Sequence, residues 1–273
     1  MLGRDLQAAL AGREVTALGR VDLDVTDLAA VRAATAGHDV IINAAAYTRV
    51  DDAETHEEDA YAVNALGARN LAAAASAGSA RLVQVSTDYV FNGRGTRPYR
   101  EDTPLDPISA YGRTKAAGER FVQDENAAGS YIVRTAWLYG RHGPNFARTM
   151  LRLAASHDTV SVVDDQLGQP TWTVDLATQI VALLDAEAPP GIYHGTNAGQ
   201  ASWYEFARAV FEAVGLDPAR VTPTDSAQFP RPAPRPSYSV LGHDAWHAAG
   251  LRPMRNWVDA LSDAVHHDTF GTL

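Results

Sequence analysis

The chain has 273 residues, a formal net charge of -10 and no cysteine. This length can bury a full α/β core, as one domain or as a large domain that carries a smaller one. The acidic balance gives no basic surface for nucleic acid or an anionic membrane, and the lack of cysteine excludes disulfides, thiolate nucleophiles and cysteine-based zinc sites. No apolar stretch approaches the roughly 18 residues of a spanning helix and no signal peptide is evident, so we expect a soluble cytoplasmic protein.

The first half alternates short apolar runs with longer amphipathic or alanine-rich segments, as is typical of βαβ units and a parallel sheet. Strands are predicted at residues 14–18, 40–42, 82–85 and 131–134. Helices are predicted at residues 6–10, 28–35, 57–77 and 110–123. The pattern indicates an α/β fold with a doubly wound, Rossmann-type NAD(P)-binding domain in residues 1–150.

After Trp137 the alternation is less regular, because prolines interrupt shorter elements. Examples are Pro170, Pro218 and the proline-rich segment 229–236. We therefore predict that residues 151–273 form mainly a smaller C-terminal portion that binds the substrate.

The first strand of the expected sheet is missing from this pattern. A Rossmann fold opens with an apolar strand, a glycine-rich turn and a helix whose N-terminus receives the pyrophosphate. Residues 1–6 are similar to the end of such a turn, with Gly3 as its final glycine and as a cofactor-binding residue. Because loss of a central strand would open two sheet edges, we expect the natural product to start about a dozen residues upstream.

Tyr111 and Lys115 are the most informative residues, since residues four apart on a helix share one face. A neighbouring ammonium lowers the pKa of a tyrosine and makes it a usable acid near neutrality. Many surface helices show this spacing, but here the predicted strand 82–85 ends at Ser86, Thr87 and Asp88. Ligands of open α/β sheets bind at such strand ends, so the sequence predicts a hydride-transfer site.

Two further segments suit a dinucleotide. Small side chains at residues 44–46 would let a cofactor lie against the backbone, although tight packing would also explain them. Arg20 follows the predicted strand 14–18, and neither Leu18 nor Gly19 supplies a carboxylate for a free 2′-hydroxyl. Arg20 therefore favours NADPH, while the nearby Asp22 keeps NADH open.

Eight motifs in chain order carry a family resemblance: LGRDL (2–6), LDVTD (23–27), NAAAYT (43–48), STDYVFNG (86–93), YGRTK (111–115), RTAWLYG (134–140), DQLGQPT (165–171) and RPSYSVL (235–241). Together they resemble the dTDP-4-dehydrorhamnose reductases, extended short-chain dehydrogenases of deoxysugar biosynthesis. The resemblance covers nearly the whole chain. It implies reduction of a dTDP-4-dehydro-6-deoxy sugar at C4, most simply of dTDP-4-dehydro-L-rhamnose.

The resemblance also implies roles for individual residues. Tyr111 would be the general acid, Lys115 would hold the nicotinamide ribose and lower the pKa of Tyr111, and Thr87 would hydrogen-bond the reacting oxygen. The residues expected to contact the nucleotide-sugar are Asp88, Tyr89, Trp137 and Arg235. Packing in the core is the alternative for Trp137, Arg231 competes with Arg235 for a phosphate, and a structural role is the alternative to a proton relay for Asn64.

By the same resemblance, Ala44, Ala45 and Ala46 would line the nicotinamide cofactor, and Asp24 and Val25 would lie beside its adenine. N-capping of the next helix is a compatible role for Asp24 and Asp27. Some relatives hold Mg²⁺ through carboxylates at a homodimer contact, but the sequence identifies no such ligands. His243 and His247 have helical spacing without the glutamate of a zinc-protease motif, so we interpret both as surface residues.

The same residues bear on other functions. Dehydratases of this fold place a glutamate after the Thr-Asp pair, and here that position is Tyr89. A non-catalytic NADP-binding regulatory subunit would not need Thr87, Tyr111 and Lys115 together. A reductase of another dTDP-4-keto sugar, such as a streptose precursor, shares these catalytic residues and stays open.

Overall fold

The computed structural model describes residues 1–267 and 269–271. Its helices are α1 (Leu2–Ala9), α2 (Leu28–Thr35), α3 (Glu57–Tyr61), α4 (Gly67–Gly78), α5 (Ala110–Asn126), α6 (Phe146–Ala154), α7 (Thr173–Asp185), α8 (Trp203–Ala213), α9 (Asp244–Ala248) and α10 (Trp257–His266). Its strands are β1 (Val40–Asn43), β2 (Arg81–Thr87), β3 (Ser130–Thr135), β4 (Leu138–Tyr139), β5 (Val160–Val163), β6 (Leu167–Gly168), β7 (Thr171–Trp172), β8 (Gly191–His194), β9 (Ala201–Ser202) and β10 (Val221–Thr224).

A parallel sheet with the strand order β1-β2-β3-β8 forms the centre of the first part. Successive side chains of a strand point to opposite faces, and both faces of this sheet are covered. On one face Val83 and Val133 pack against α1 and α7, and on the other Leu82 and Ile132 pack against α2, α4 and α5. The register sets Thr87 beside Thr135, so the carboxyl ends of β2 and β3 lie level at one edge.

Most of the predicted elements of the first half are confirmed, and the strand at 14–18 is wrong. That segment is exposed, with Val15 at 43% and Leu18 at 46% of their full exposure. A strand needs a neighbour for its backbone hydrogen bonds, and no strand of the described residues pairs with this segment. The first helix begins at Leu2 rather than at residue 6, so Gly3 lies in the first turn of α1, and the described residues contain no strand before it.

The rest of the chain forms smaller sheets around an aromatic core. β10 pairs with β5, β4 with β7, and β6 with β9. Tyr139, Trp172, Phe206 and Trp257 belong to the buried cluster beneath them. Because β8 returns to the large sheet, residues after 150 contribute to both parts of the molecule, and the division at residue 150 stays a prediction. Across residues 1–267 and 269–271, no helix combines the length and apolar character needed to span a bilayer.

α5 packs unusually close to the preceding helices. α3 and α4 are joined by a π-helical turn at Ala62–Leu66, so residues 57–78 form one helical run. A Cβ added at Gly118 of α5 would lie 2.2 Å from the backbone oxygen of Asn64 in that turn. A side chain at residue 118 would therefore separate α5 from this run.

We expect Gly118→Ala to lower the free energy of unfolding by about 2 kcal/mol, because overpacking costs more than the roughly 1 kcal/mol gained from helix propensity. Urea unfolding measures the change. Gly78→Ala is the matched control, since Gly78 ends α4 and no atom lies within 4 Å of its added Cβ. Equal effects of the two substitutions would show that the close approach of α5 does not limit packing.

Candidate active site

Tyr111 lies in the first turn of α5, directly against the segment that follows β2. Ser109 caps this helix, its Oγ accepting a hydrogen bond from the Gly112 amide at 3.1 Å. Gly112 lets the first turn of α5 lie against the segment after β2, because a Cβ at residue 112 would be 2.2 Å from the Tyr89 carbonyl oxygen. The Tyr111 and Tyr89 rings meet edge to face with centroids 5.6 Å apart, and the Thr87 hydroxyl lies near enough to the Tyr111 phenol to affect its pKa. The structure thus brings the predicted tyrosine and threonine together.

Burial controls the ionisation of Tyr111 and Lys115. Lys115 is buried, and its Nζ donates to the Val85 carbonyl oxygen at 2.7 Å. Burial lowers the pKa of Lys115 to about 8, although the nearby Glu119 carboxylate opposes the shift. Burial and the Asp88 charge raise the pKa of Tyr111 above its ordinary value, and the nearby Thr87 hydroxyl opposes this. Desolvation of the phenol dominates this shift, and the predicted lowering of the Tyr111 pKa by Lys115 stays a prediction.

Asp88 presents a buried carboxylate with an unused acceptor. Thr87 Oγ1 donates to Asp88 Oδ1 at 2.9 Å, while Oδ2 is buried without a hydrogen-bond partner among the described residues. Burial raises the pKa of Asp88 to about 6, and the nearby Ser239 and Thr87 hydroxyls oppose this shift. Buried polar atoms normally have partners, so Oδ2 is suited to accept a hydrogen bond from a ligand hydroxyl.

Arg235, not Arg231, lies against the predicted site. Its guanidinium carbon is 6.0 Å from the centre of the Tyr89 ring, and its Nη2 forms an ion pair with Asp51 Oδ1 at 3.0 Å. Arg231 is exposed. Asp51 was not predicted; it also accepts a hydrogen bond from the Ala233 amide at 3.3 Å. This ion pair joins the segment after β1 to the C-terminal portion of the chain.

Trp137 is packed against other side chains. Its ring stacks on Trp203 with centroids 3.5 Å apart, and a Cβ added at Gly168 would lie 2.5 Å from its Cε2. It borders the aromatic core cluster and has a φ of +45°. These contacts support the core alternative, and contact with a nucleotide-sugar stays a prediction.

The residues after β1 leave backbone accessible at the carboxyl edge of the sheet. Ala44 and Ala45 are exposed and Ala46 is half-buried. The Ala45 amide donates to Asn43 Oδ1 at 3.0 Å, and Asn43 Nδ2 donates to Gln84 Oε1 of β2 at 2.8 Å. Their small side chains and fixed backbone fit a nicotinamide cofactor laid across this edge.

The residues predicted near adenine lie in the loop before α2. Asp24 accepts hydrogen bonds from the Thr26 amide and hydroxyl at 2.9 and 2.8 Å, and Asp27 caps α2. The capping alternative is therefore confirmed for Asp27, while Asp24 closes the turn before it. Val25 packs on Gly67, where an added Cβ would lie 2.7 Å from its Cγ2.

Within the part of the chain that the structure describes, no hydrogen bond, ion pair or ring contact joins the catalytic residues to the other predicted cofactor-binding residues. These are Gly3, Arg20, Asp24 and Val25. Arg20 is exposed. Their contacts with a cofactor stay predictions.

Two polar residues have structural roles. Asn64 Oδ1 accepts from the Tyr47 amide at 2.8 Å, and its Nδ2 donates to the Tyr47 carbonyl oxygen and to Thr114 Oγ1, which supports the structural alternative for this residue. His243 is half-buried and hydrogen-bonded to Thr196 Oγ1 at 2.8 Å, so its interpretation as a surface residue is wrong. His247 is exposed.

Metal binding gains no support from the side-chain arrangement. In the described ranges, 1–267 and 269–271, no three or more His, Asp or Glu side chains are grouped so that they could hold a metal ion. Mg²⁺ therefore rests on the family resemblance alone.

Comparison with known proteins identifies the family. The model described as the RmlD substrate binding domain matches residues 1–270. The chain belongs to this RmlD family. A dTDP-4-dehydrorhamnose reductase of Streptomyces griseus is 55% identical over 272 residues, which cover 97% of this chain and 90% of the relative. A dTDP-4-keto-6-deoxy-D-glucose reductase of Streptomyces niveus is 54% identical over 268 residues, covering 97% and 93%.

Solved structures of dTDP-4-dehydrorhamnose reductases confirm the Rossmann-type fold. The dTDP-4-dehydrorhamnose reductase of Clostridium acetobutylicum superposes with a TM-score of 0.94 at 44% identity, covering 97% of this chain and 95% of the other. The same enzyme from Bacillus anthracis, solved in complex with NADP, also gives a TM-score of 0.94, at 38% identity and the same coverage.

Asp88→Asn is expected to stabilise the free protein at high pH. The folded state holds the Asp88 proton more tightly than the unfolded state, so ionisation costs stability progressively from the ordinary pKa of 3.8 and fully above about 6. Removing the carboxylate should therefore raise the free energy of unfolding by about 3 kcal/mol at pH 8 and by almost nothing at pH 4.

Urea unfolding at both pH values measures this difference. Asp102→Asn is the control, because the Asp102 side chain is 74% exposed and should change stability by less than about 0.5 kcal/mol. A gain for Asp88→Asn that is equal at pH 4 and pH 8 would show that ionisation of this carboxyl is not its source.

Proposed function

We propose that the protein is an NAD(P)H-dependent reductase of the C4 keto group of a dTDP-4-dehydro-6-deoxy sugar, with dTDP-4-dehydro-L-rhamnose as substrate. One observation carries the proposal: Thr87, Tyr111 and Lys115 converge at the carboxyl end of β2 in a chain of the RmlD family. The names of the Streptomyces griseus and Bacillus anthracis relatives support this reaction and cofactor.

The Tyr111 phenol is the proton donor of this reaction. Its raised pKa keeps it protonated at neutral pH, as a general acid requires before it donates to a developing alkoxide. Thr87 would direct a second hydroxyl to the same oxygen by turning its proton from Asp88 Oδ1 to the substrate. NADPH bound along the edge formed by residues 44–46 would supply the hydride. Lys115, held by the Val85 carbonyl, is the cation placed to bind the cofactor ribose.

The nucleotide-sugar would be held by residues on both parts of the chain. Asp88 Oδ2 accepts from a sugar hydroxyl, which satisfies the one buried oxygen of this carboxylate that lacks a partner among the described residues. Arg235 has the planar guanidinium suited to a diphosphate, and Tyr89 lies beneath it. Residues 151–273 would supply most of the remaining pocket.

A different 4-keto sugar is the second candidate, because the Streptomyces niveus relative carries the name of a dTDP-4-keto-6-deoxy-D-glucose reductase at nearly the same identity. The catalytic residues would serve both substrates, since Tyr111 and Thr87 act on the reacting carbonyl and Lys115 on the cofactor. A non-catalytic regulatory role is disfavoured, because it would not need the buried Lys115 beside Tyr111 and Thr87.

Tyr111→Phe is expected to lower kcat for NADPH oxidation with dTDP-4-dehydro-L-rhamnose by about 10²- to 10⁴-fold, because it removes the general acid. Absorbance at the NADPH band follows the reaction of the purified natural protein. Tyr61→Phe is the control, since Tyr61 is partly exposed on α3 and packs on Phe121.

The outcomes separate the candidates. Full activity in Tyr111→Phe would refute the assigned acid. Turnover of another dTDP-4-keto sugar in place of the rhamnose precursor would establish the second candidate. NADPH binding without turnover of any dTDP-4-keto sugar would support the regulatory role.

The choice of NADPH over NADH rests on Arg20. Asp22 Oδ2 accepts a hydrogen bond from the Gly19 amide at 2.8 Å, so its carboxylate is engaged, whereas Arg20 is exposed. Arg20→Gln should therefore raise KM for NADPH about tenfold and leave KM for NADH nearly unchanged, as expected for the loss of one charged hydrogen bond. Arg32→Gln, an exposed change on α2, is the control. Parallel increases in both KM values would contradict 2′-phosphate recognition by Arg20.

A further inference from the structure

The most deeply buried charged groups of the first part are Glu119 of α5 and Arg134 of β3. Their side chains are 1% and 2% exposed. Arg134 donates through Nε and Nη2 to both Glu119 oxygens, at 3.0 Å to Oε1 and 2.8 Å to Oε2. Ser86 Oγ donates to Glu119 Oε1 at 2.5 Å. One carboxylate therefore binds α5 to β2 and to β3 at once.

These partners are neighbours of the proposed active-site residues. Ser86 directly precedes Thr87. On α5, Glu119 follows Lys115 by four residues and Tyr111 by eight, so these three helix residues lie on one face. The other side of Arg134 is also fixed, since its Nη1 donates to the Glu101 carbonyl oxygen at 3.0 Å and to His194 Nε2 at 3.3 Å. This leaves the Glu119 carboxylate in one position relative to both strands.

Stability alone does not account for such a pair. Moving two charges out of water costs several kcal/mol each, and apolar residues of similar size often stabilise a core as well or better. A buried ion pair is better explained where its geometry or its charge serves a neighbouring group. Here the neighbouring group is the Lys115 ammonium, which is itself buried.

We propose that Glu119 is a positioning residue of the active site: its carboxylate fixes α5 against the ends of β2 and β3 and places a negative charge on the helix face that carries Lys115. The inference rests on the proposed function for the reaction that the site performs. Glu119 does not touch the substrate; it acts through Lys115 and through Ser86, which precedes Thr87.

The charges around α5 single out Glu119. On the elements packed against this helix, Asp88 acts on Tyr111, Glu57 pairs with Arg113, and Glu54 accepts from the Ala110 amide. Burial lowers the pKa of Lys115, and the Glu119 charge opposes this shift. Arg134 of β3 pairs with that charge, so removal of the Glu119 charge would also leave the Arg134 cation without its partner. Loss of the Glu119 charge should therefore make Lys115 lose its proton at lower pH.

The decisive variant is Glu119→Gln, which keeps the shape and the contacts of Oε1 with Ser86 and Arg134 Nε but removes the charge and the acceptor at Oε2. We expect the titration midpoint of Lys115, followed by ¹³C NMR and assigned by its loss in Lys115→Arg, to fall by about one pH unit. With dTDP-4-dehydro-L-rhamnose as substrate, the alkaline limb of the kcat profile should move to lower pH by about one pH unit. At pH values above the midpoint of the natural protein, kcat should therefore drop about tenfold. Glu125→Gln is the matched control, since Glu125 is on the same helix and pairs with Arg69 at the surface.

A second variant separates geometry from charge. Ser86→Ala removes one contact of the carboxylate and leaves its charge, so it should lower kcat about fivefold without moving the Lys115 midpoint. If Glu119→Gln does not fold, the Ser86→Ala result decides, and an unchanged kcat overturns the proposal. Urea unfolding accompanies each variant, because a purely structural role would lower stability without moving the midpoint.

The NMR titration needs no turnover, so it distinguishes this proposal from the proposed function. A Lys115 midpoint in Glu119→Gln equal to that of the natural protein overturns the positioning role even if the reductase activity is confirmed. A lowered midpoint supports it even if the natural protein reduces none of the sugars tested.

Discussion

The close seating of α5 against the end of β2 is the constraint on which the rest of the site depends. Gly112 and Gly118 remove the side chains that would hold the helix away, and the Glu119 carboxylate fixes it to both neighbouring strands. With the helix seated there, the Tyr111 phenol reaches Thr87 and the Lys115 ammonium reaches the Val85 carbonyl. The catalytic geometry is thus a consequence of backbone packing between a helix and a strand.

The same burial acts in opposite directions on the groups gathered at this edge. It makes the carboxyl of Asp88 and the phenol of Tyr111 hold their protons more tightly, and it makes the ammonium of Lys115 release its proton more easily. Desolvation therefore sets the pKa values of these groups, and nearby charges change them less. As a result, the site holds both donors and acceptors of hydrogen bonds near neutral pH. A polar ligand that fills this edge would exchange contacts with water for contacts with groups already fixed in place.

Sequence reasoning located the strands β1 to β3, the helices around them and the group of Thr87, Tyr111 and Lys115, because periodicity and strand-end position depend on local spacing. It failed at residues 14–18, whose apolar side chains suit a strand but have no paired neighbour in the described chain. It also missed Glu119 and Asp51, whose partners are distant in sequence. The spacing of four residues between Lys115 and Glu119 would have indicated that Glu119 shares a helix face with Lys115. No short-range sequence pattern indicates that Asp51 pairs with Arg235.

The ion pair between Asp51 and Arg235 has a consequence for selectivity. On the proposed role of Arg235, a diphosphate must displace the Asp51 carboxylate, so binding exchanges one anionic partner for another. A sugar without phosphate groups would leave the pair intact and would gain no contact with Arg235. The protein would then discriminate against free sugars because only an anionic ligand can replace the Asp51 carboxylate.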